Sequence, residues 1–212
     1  MKTLLIVDVQ NDFCPGGALG VPEGDAIVPI INVLTSSDFF DLVVATQDWH
    51  PPDHASFASQ HAGKRPGDVI ELNGAPQVLW PDHCVQSTPG AELRADLEME
   101  KIARVFQKGE ERLVDSYSGF YDNDHQTSTG LGEFLKSQNA TDIYVCGLAT
   151  DYCVKFSALD AQSLGFQTFL IEDASRGVNL SAGDVKSAIA KMREAGVQIL
   201  ETGDLGLEIG NG

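Results

Sequence analysis

Four short runs of almost unbroken apolar residues set the frame of this chain: LLIV at 4–7, LVVA at 42–45, IYVC at 143–146 and TFLI at 168–171. A strand with one wet face alternates apolar and polar residues, whereas a strand covered on both faces does not. These runs therefore predict central strands of a sheet with helices packed on either side. The strands are expected at Thr3–Val9, Leu42–Gln47, Arg104–Gln107, Asp142–Cys146, Gln167–Ile171 and Gln198–Leu200. Helix-length segments fall between them, at Asp25–Ser36, Thr129–Ser137, Asp151–Ser163 and Ser181–Ala195, the last with Ser181 as N-cap and Gly196 as its stop. Strand and helix alternating in this way predict a parallel sheet in an α/β sandwich, with right-handed crossovers that bring the carboxyl ends of the strands to one edge.

At 212 residues, the chain is expected to form one domain, 1–212, with a sizeable core. Its 42% hydrophobic content is too high for a disordered chain. The charge of −17, from 14 Lys+Arg against 31 Asp+Glu, opposes binding to phosphate backbones or anionic headgroups. The expectation is a small neutral or cationic substrate, with no nucleic-acid or membrane role. No run reaches the roughly 18 apolar residues of a membrane span. The opening MKTLLIVDVQ is broken by Asp8 and lacks a small-residue cleavage site, so it reads as a first strand and the protein as cytoplasmic. Four cysteines, none in a C-x-x-C pair, predict reduced thiols rather than a disulfide scaffold.

Two stretches interrupt the rhythm. Residues 48–102 contain most of the proline and histidine, and Trp49, Phe57 and Trp80 lie among His50, His54, His61 and His83. Residues 108–128 form a shorter polar loop. Long loops in a compact fold are usually functional or disordered, and the aromatic content of the first predicts an ordered one that builds a site.

Ligands of an open parallel sheet bind beyond the carboxyl ends of its strands. Strand one ends at Asp8, strand two in Asp48-Trp49-His50 and strand three at Lys108, while strand four leads into GLATDYC at 147–153. Cys153 falls in the first turn of the expected helix, where free amides and the helix dipole lower a thiol pKa and can bind an oxyanion. Taken alone it would read as a small buried hydrophobe. Asp8, at a buried strand end with a raised pKa, is a candidate base, and Lys108 a candidate cation beside it. Asp48-x-His50 places a carboxylate and an imidazole on one side of extended chain, and His83 could add a third ligand. That mixed set suits zinc, iron or manganese. His54 and His61 read as solvent-exposed, with His54 the candidate for any further ligand.

Together the strings IVDVQNDFCPGGAL at 6–19, TQDWHPPDHASF at 46–57, WPDHCVQ at 80–86, FQKG at 106–109 and GLATDYCV at 147–154 resemble the nicotinamidases of the isochorismatase-like cysteine hydrolase superfamily. The resemblance implies a three-layer α/β/α sandwich with a mostly parallel six-stranded sheet. It implies a catalytic triad of Asp8, Lys108 and Cys153, and oxyanion-hole amides from Ala149 and Cys153 after a non-proline cis peptide at Leu148–Ala149. It further implies one divalent metal ion on Asp48, His50 and His83, zinc foremost, with iron or manganese as alternatives. Phe13, Trp80 and Tyr117 would form aromatic walls around a pyridine ring. The activity implied is hydrolysis of nicotinamide to nicotinate and ammonia through a cysteine thioester, in NAD salvage. The alternative is a related cysteine amidase acting on a carbamoyl or ureido substrate, a branch that generally lacks the three-ligand metal site. Relatives range from monomers to larger assemblies, so a homo-oligomer is admitted.

Overall fold

The computed structural model describes residues 1–207. Among these residues, eight strands and four α-helices run in the order β1 (Lys2–Val7), α1 (Val28–Ser36), β2 (Leu42–Asp48), β3 (Val69–Leu72), β4 (Ala75–Val78), β5 (Arg104–Lys108), α2 (Leu131–Ser137), β6 (Asp142–Leu148), α3 (Lys155–Ser163), β7 (Gln167–Arg176), α4 (Asp184–Glu194) and β8 (Gln198–Leu200). Six of the strands form one sheet in the order β5-β2-β1-β6-β7-β8, with every adjacent pair parallel. The expected fold class is the observed one.

The apolar runs behave as their composition requires. In β1, Leu4 and Ile6 face one core while Leu5 and Val7 face another, and all four are fully buried. On the first side α1 contributes Ile31 and Leu34; on the second, α2, α3 and α4 contribute Leu135, Ala158, Ala161, Ile189 and Met192. Both faces of the central strands are thus dry, and the sheet is the middle of three layers. Burial of a Leu, Ile or Val side chain contributes about 1.5–3 kcal/mol.

Several element boundaries differ from expectation. β6 runs two residues further, to Leu148, and β7 runs five further, to Arg176, with a register irregularity between Val145 and Gly147. The segment expected as one helix from Asp25 begins as a 3-10 turn, Gly24–Ile27, before α1. The expected helix Asp151–Ser163 divides into a π-turn at Thr150–Val154 followed by α3. Ser181 is not the N-cap of α4. That position belongs to Gly183, at φ 95°, and the Ser181 amide donates to Asp184 Oδ2 at 2.8 Å. The left-handed turn at Gly183 delays the start of the helix, which still stops at Gly196, φ 95°.

Residues 48–102 hold a two-stranded antiparallel hairpin, β3–β4, which pairs with no strand of the main sheet. It turns through Asn73 and Gly74, both at positive φ, and Asn73 ties it to the Leu113 carbonyl at 2.7 Å. Among the described residues, no helix is long and apolar enough to cross a membrane.

Candidate active site

β1 and β6 lie side by side at the centre of the sheet, and the chain leaves β1 toward β2 on the opposite side. This reversal of strand order opens a crevice at the carboxyl ends of the strands. Asp8 is the first residue past β1 and sits at φ 49°, a left-handed backbone uncommon for a side chain with a Cβ. Next to it, Gly147 has φ 116°, and a Cβ there would run into the Val7 carbonyl, so only glycine lets the two chain ends pass this closely.

Lys108, from the end of β5, reaches into the crevice and is essentially buried. Its ammonium lies 2.9 Å from Asp8 Oδ2, contacts Asp48 Oδ1 closely, donates to the Ser116 carbonyl at 2.8 Å and stands 3.5 Å from Cys153 Sγ. Thr46 Oγ1 donates to Asp8 Oδ1 at 2.6 Å and fixes the carboxylate plane. The Lys108 contact to Oδ2 lies off the axis of a hydrogen bond, so that buried oxygen keeps an open lone pair. Asp8, Asp48 and Cys153 each bring an atom within 4.8 Å of the others. The structure therefore brings together the carboxylate, amine and thiol singled out in the sequence.

Their electrostatics follow from burial. Burial pushes the Asp8 carboxyl above its usual range, against the pull of Lys108. Burial likewise opposes the charge on Lys108, but Asp48 and Asp8 outweigh it and hold the ammonium charged. The Cys153 thiol differs from expectation. Burial pushes it well above the ordinary thiol range; Lys108 opposes this, and Asp8 and Asp48 reinforce it. The helix-terminus argument fails because the thiol faces two carboxylates in a dry site, and because it sits in a π-turn rather than the first turn of a regular helix. The resting thiol is protonated, and its proton has an adjacent acceptor.

Ala149 and Cys153 both line the crevice, and the Leu148–Ala149 peptide is cis, as the resemblance implied. The Ala149 carbonyl accepts from the amides of Tyr152 and Val154, at 3.0 and 3.1 Å, which folds the π-turn back beneath the thiol.

Asp48, His50 and His83 also converge. Asp48 Oδ2 stands 3.5 Å from His50 Nε2 and 3.8 Å from His83 Nε2, and all three residues are buried. Metal–ligand bonds of about 2.0–2.2 Å place ligand atoms roughly 3.3 Å apart at tetrahedral angles, so these spacings fit one ion with little adjustment. The other nitrogen of each ring is engaged: His50 Nδ1 with the Gly109 carbonyl at 2.9 Å and His83 Nδ1 with the Pro81 carbonyl at 2.8 Å. Such bonds fix the tautomer that presents Nε2 to a metal. Burial, reinforced by His50, lowers the His83 pKa to about 4, so that ring is neutral and able to ligate. Gly109 has φ 71°, and a Cβ there would strike the His50 ring.

The expectation that His54 is exposed is overturned, since its side chain is fully buried. Its Nδ1 pairs with Ser56 Oγ at 2.7 Å and its Nε2 with the Val114 carbonyl at 3.3 Å, while His50, His54 and Asp115 also bring ligand atoms within 4.8 Å of one another. The ring lies tilted against His50 at 4.4 Å and against Phe57 at 5.6 Å. His61 is half-buried, with Nε2 bonded to the Ala55 carbonyl at 2.8 Å.

A narrow cleft opens beside both groups, with Cys153 of the one and Asp48 and His83 of the other in its lining. Phe13, Trp80 and Tyr117 line it as expected, together with Leu19, Asp115, Tyr152 and Val178, which sequence reasoning did not single out. Trp80 and Tyr152 meet edge to face at 4.9 Å, and Trp80 Nε1 donates to the Tyr117 hydroxyl at 3.1 Å. Tyr152 adjoins the nucleophile candidate in sequence, a signal that was available. Asp115 lies in the charged stretch after Lys108 and carried none.

Comparison with known proteins agrees with this geometry. Residues 2–204 match the isochorismatase domain. The Escherichia coli K12 nicotinamidase is 48% identical over 205 residues, covering 96% of each chain. An Acinetobacter baumanii nicotinamidase/pyrazinamidase structure superposes with a TM-score of 0.93 at 46% identity, covering 96% of this chain and 97% of that one. A Pyrococcus horikoshii pyrazinamidase, solved in complex with zinc, superposes with a TM-score of 0.76 at 37% identity, covering 94% and 98%. The chain belongs to the isochorismatase-domain family and groups with its nicotinamidases.

Proposed function

We propose that this protein hydrolyses nicotinamide to nicotinate and ammonia, with Asp8, Lys108 and Cys153 as the reacting groups. The observation that carries the reading is Lys108, whose single buried ammonium touches Asp8, Asp48 and Cys153, the last two of which line an aromatic slot. A planar heteroaromatic amide fits between Phe13, Trp80 and Tyr117, with its carboxamide carbon over the thiol.

Cys153 passes its proton to Asp8 Oδ2, and the sulfur attacks the carboxamide carbon as the carbonyl bond opens. Backbone amides at Ala149 and Cys153 receive the developing oxyanion, the interaction from which acyl transfer gains most. Asp8 returns the proton to the amide nitrogen, the C–N bond breaks, and ammonia leaves a thioester on Cys153. A water that gives its proton to Asp8 attacks the thioester; the acid forms and the thiol recovers its proton. Throughout, Lys108 holds Asp8 in place and offsets the charge that passes between carboxylate and sulfur. A raised Asp8 pKa suits a group that must both take and return a proton.

The Asp48, His50 and His83 donors would hold one divalent ion, with zinc the best match to two imidazoles and a carboxylate. When bound, that ion would supply a Lewis-acidic point that anchors and orients the pyridine nitrogen, a positional contribution.

Ammonia release from nicotinamide by the purified, zinc-loaded protein tests the proposal. Turnover is expected, together with its loss after chelation and return on adding metal. Absence of release from the loaded protein refutes the activity, and turnover indifferent to chelation refutes the ion's role.

A further inference from the structure

The hairpin β3–β4 carries one buried polar side chain toward the cleft. Gln77, in β4, is only 6% exposed although its neighbours Ala75 and Pro76 are open to solvent. Its amide nitrogen donates to Asp115 Oδ2 at 2.8 Å and to the Val78 carbonyl at 2.7 Å, and it lies 3.3 Å from the Tyr117 hydroxyl. Carboxylate and carbonyl only accept, so the nitrogen, not the amide oxygen, must face them. Two hydrogens serve three acceptors, and the longest contact, to Tyr117, is the shared one.

This contact joins Gln77 to the ring slot. The Tyr117 oxygen also accepts from Trp80 Nε1 at 3.1 Å, so both acceptor positions of the phenol are taken. Tyr117 packs on Tyr152 at 5.4 Å and stacks on the part-exposed Phe156 at 5.4 Å, on the rim of the cleft. Asp115, held by the same amide, lines the cleft beside Trp80 and His83. One side chain on a hairpin outside the main sheet thus fixes a carboxylate and an aromatic wall that face the substrate, without touching Asp8, Lys108 or Cys153.

We infer that Gln77 is a positioning residue for substrate binding: its amide sets the width of the aromatic slot by holding Tyr117 and Asp115. The inference rests on the proposed amidase reading and extends it to the hairpin. Loss of one or two buried hydrogen bonds of this kind weakens ring binding by about five- to twentyfold. The reacting groups stay in place, so the effect falls on KM and not on kcat.

The test compares Gln77→Met, which keeps the side-chain volume and removes the donor, with Tyr117→Phe and the double variant. Each is zinc-loaded, with kcat and KM measured for nicotinamide, bound metal by elemental analysis, and nicotinate binding by tryptophan fluorescence. The expected result is a five- to twentyfold rise in KM and in the nicotinate Kd for Gln77→Met. Its kcat should stay within twofold and its metal content should be unchanged. The double variant should be weaker than Tyr117→Phe by a smaller factor than Gln77→Met is weaker than wild type. Unchanged KM, a fall in kcat with KM constant, reduced metal content, or fully multiplicative effects in the double variant would each overturn the inference. If Gln77→Met does not fold, Tyr117→Phe decides: a KM and Kd within twofold of wild type means the held hydroxyl does not set the slot. Wild-type protein inactive on nicotinamide would instead be the failure of the parent proposal.

Discussion

Replacing Lys108 by methionine should separate the two things its ammonium does, which are to hold the crevice together and to equip it for chemistry. Lys108 Nζ is 2.9 Å from Asp8 Oδ2 and pairs with Asp48 as well, all with negligible exposure. At that distance, with an effective dielectric of ~20, one such pair attracts by about 6 kcal/mol before desolvation is counted. Desolvation of the lysine takes back much of this, but removing it leaves two carboxylates buried without their cation. Breaking a buried pair in this way costs roughly 3–5 kcal/mol. For a chain of this length each kcal/mol lowers Tm by about 2–4 °C, so Lys108→Met should melt roughly 6–20 °C below wild type when both are metal-free. The sign can be checked by adding Asp8→Asn. That second change removes one orphaned charge, so the double variant should regain part of the lost Tm while remaining inactive. Thermal unfolding followed by circular dichroism, alongside ammonia release, reads both quantities. A Lys108→Met protein with wild-type Tm, or a double variant less stable than Lys108→Met alone, would refute the reasoning.

Three further outcomes are expected. Cys153→Ala should lose at least about 10³-fold in ammonia release with little change in Tm, because only a small buried group is removed while the proposed covalent route is abolished; retention of a tenth of wild-type turnover would exclude the thiol as nucleophile. Gly109→Ala should bind zinc about 10–100-fold more weakly, measured by chelator competition, since a Cβ there displaces the His50 ring and its Gly109 bond. His54→Gln should keep its full complement of zinc by elemental analysis, because His54 Nδ1 and Nε2 already pair with Ser56 Oγ and the Val114 carbonyl; loss of the ion would restore His54 as a ligand.

The crevice shows why some residues were readable in the chain and others were not. Asp8, Asp48, His50, Lys108 and Cys153 all sit at or just past the carboxyl end of a strand, so finding the strands also found them. Thr46 was within reach of the same logic, two residues before Asp48 in β2, but nothing in its identity announces the bond to Asp8. Gln77 and Asp115 belong to stretches with no period at all. They meet only because the hairpin folds back over the segment after β5, a contact across 38 positions. The proton affinity of Cys153 departs from the sequence expectation for a related reason: position on the chain indicates a helix start, while burial and the charges the fold places beside the thiol raise its pKa.

The sequence by itself determined the layered architecture, because apolar runs of strand length without alternation, separated by helix-length segments, fit a sheet covered on both faces. It also determined which edge of that sheet would carry chemistry, and the family signatures pointed to the same residues. Only the tertiary structure decided that His54 is buried with both ring nitrogens hydrogen-bonded, that the thiol rests protonated, and that a hairpin braces the slot. Those outcomes depend on distances of a few ångströms between residues far apart in the chain, and desolvation and hydrogen bonding at that range are properties of the packed molecule, with no local pattern to record them.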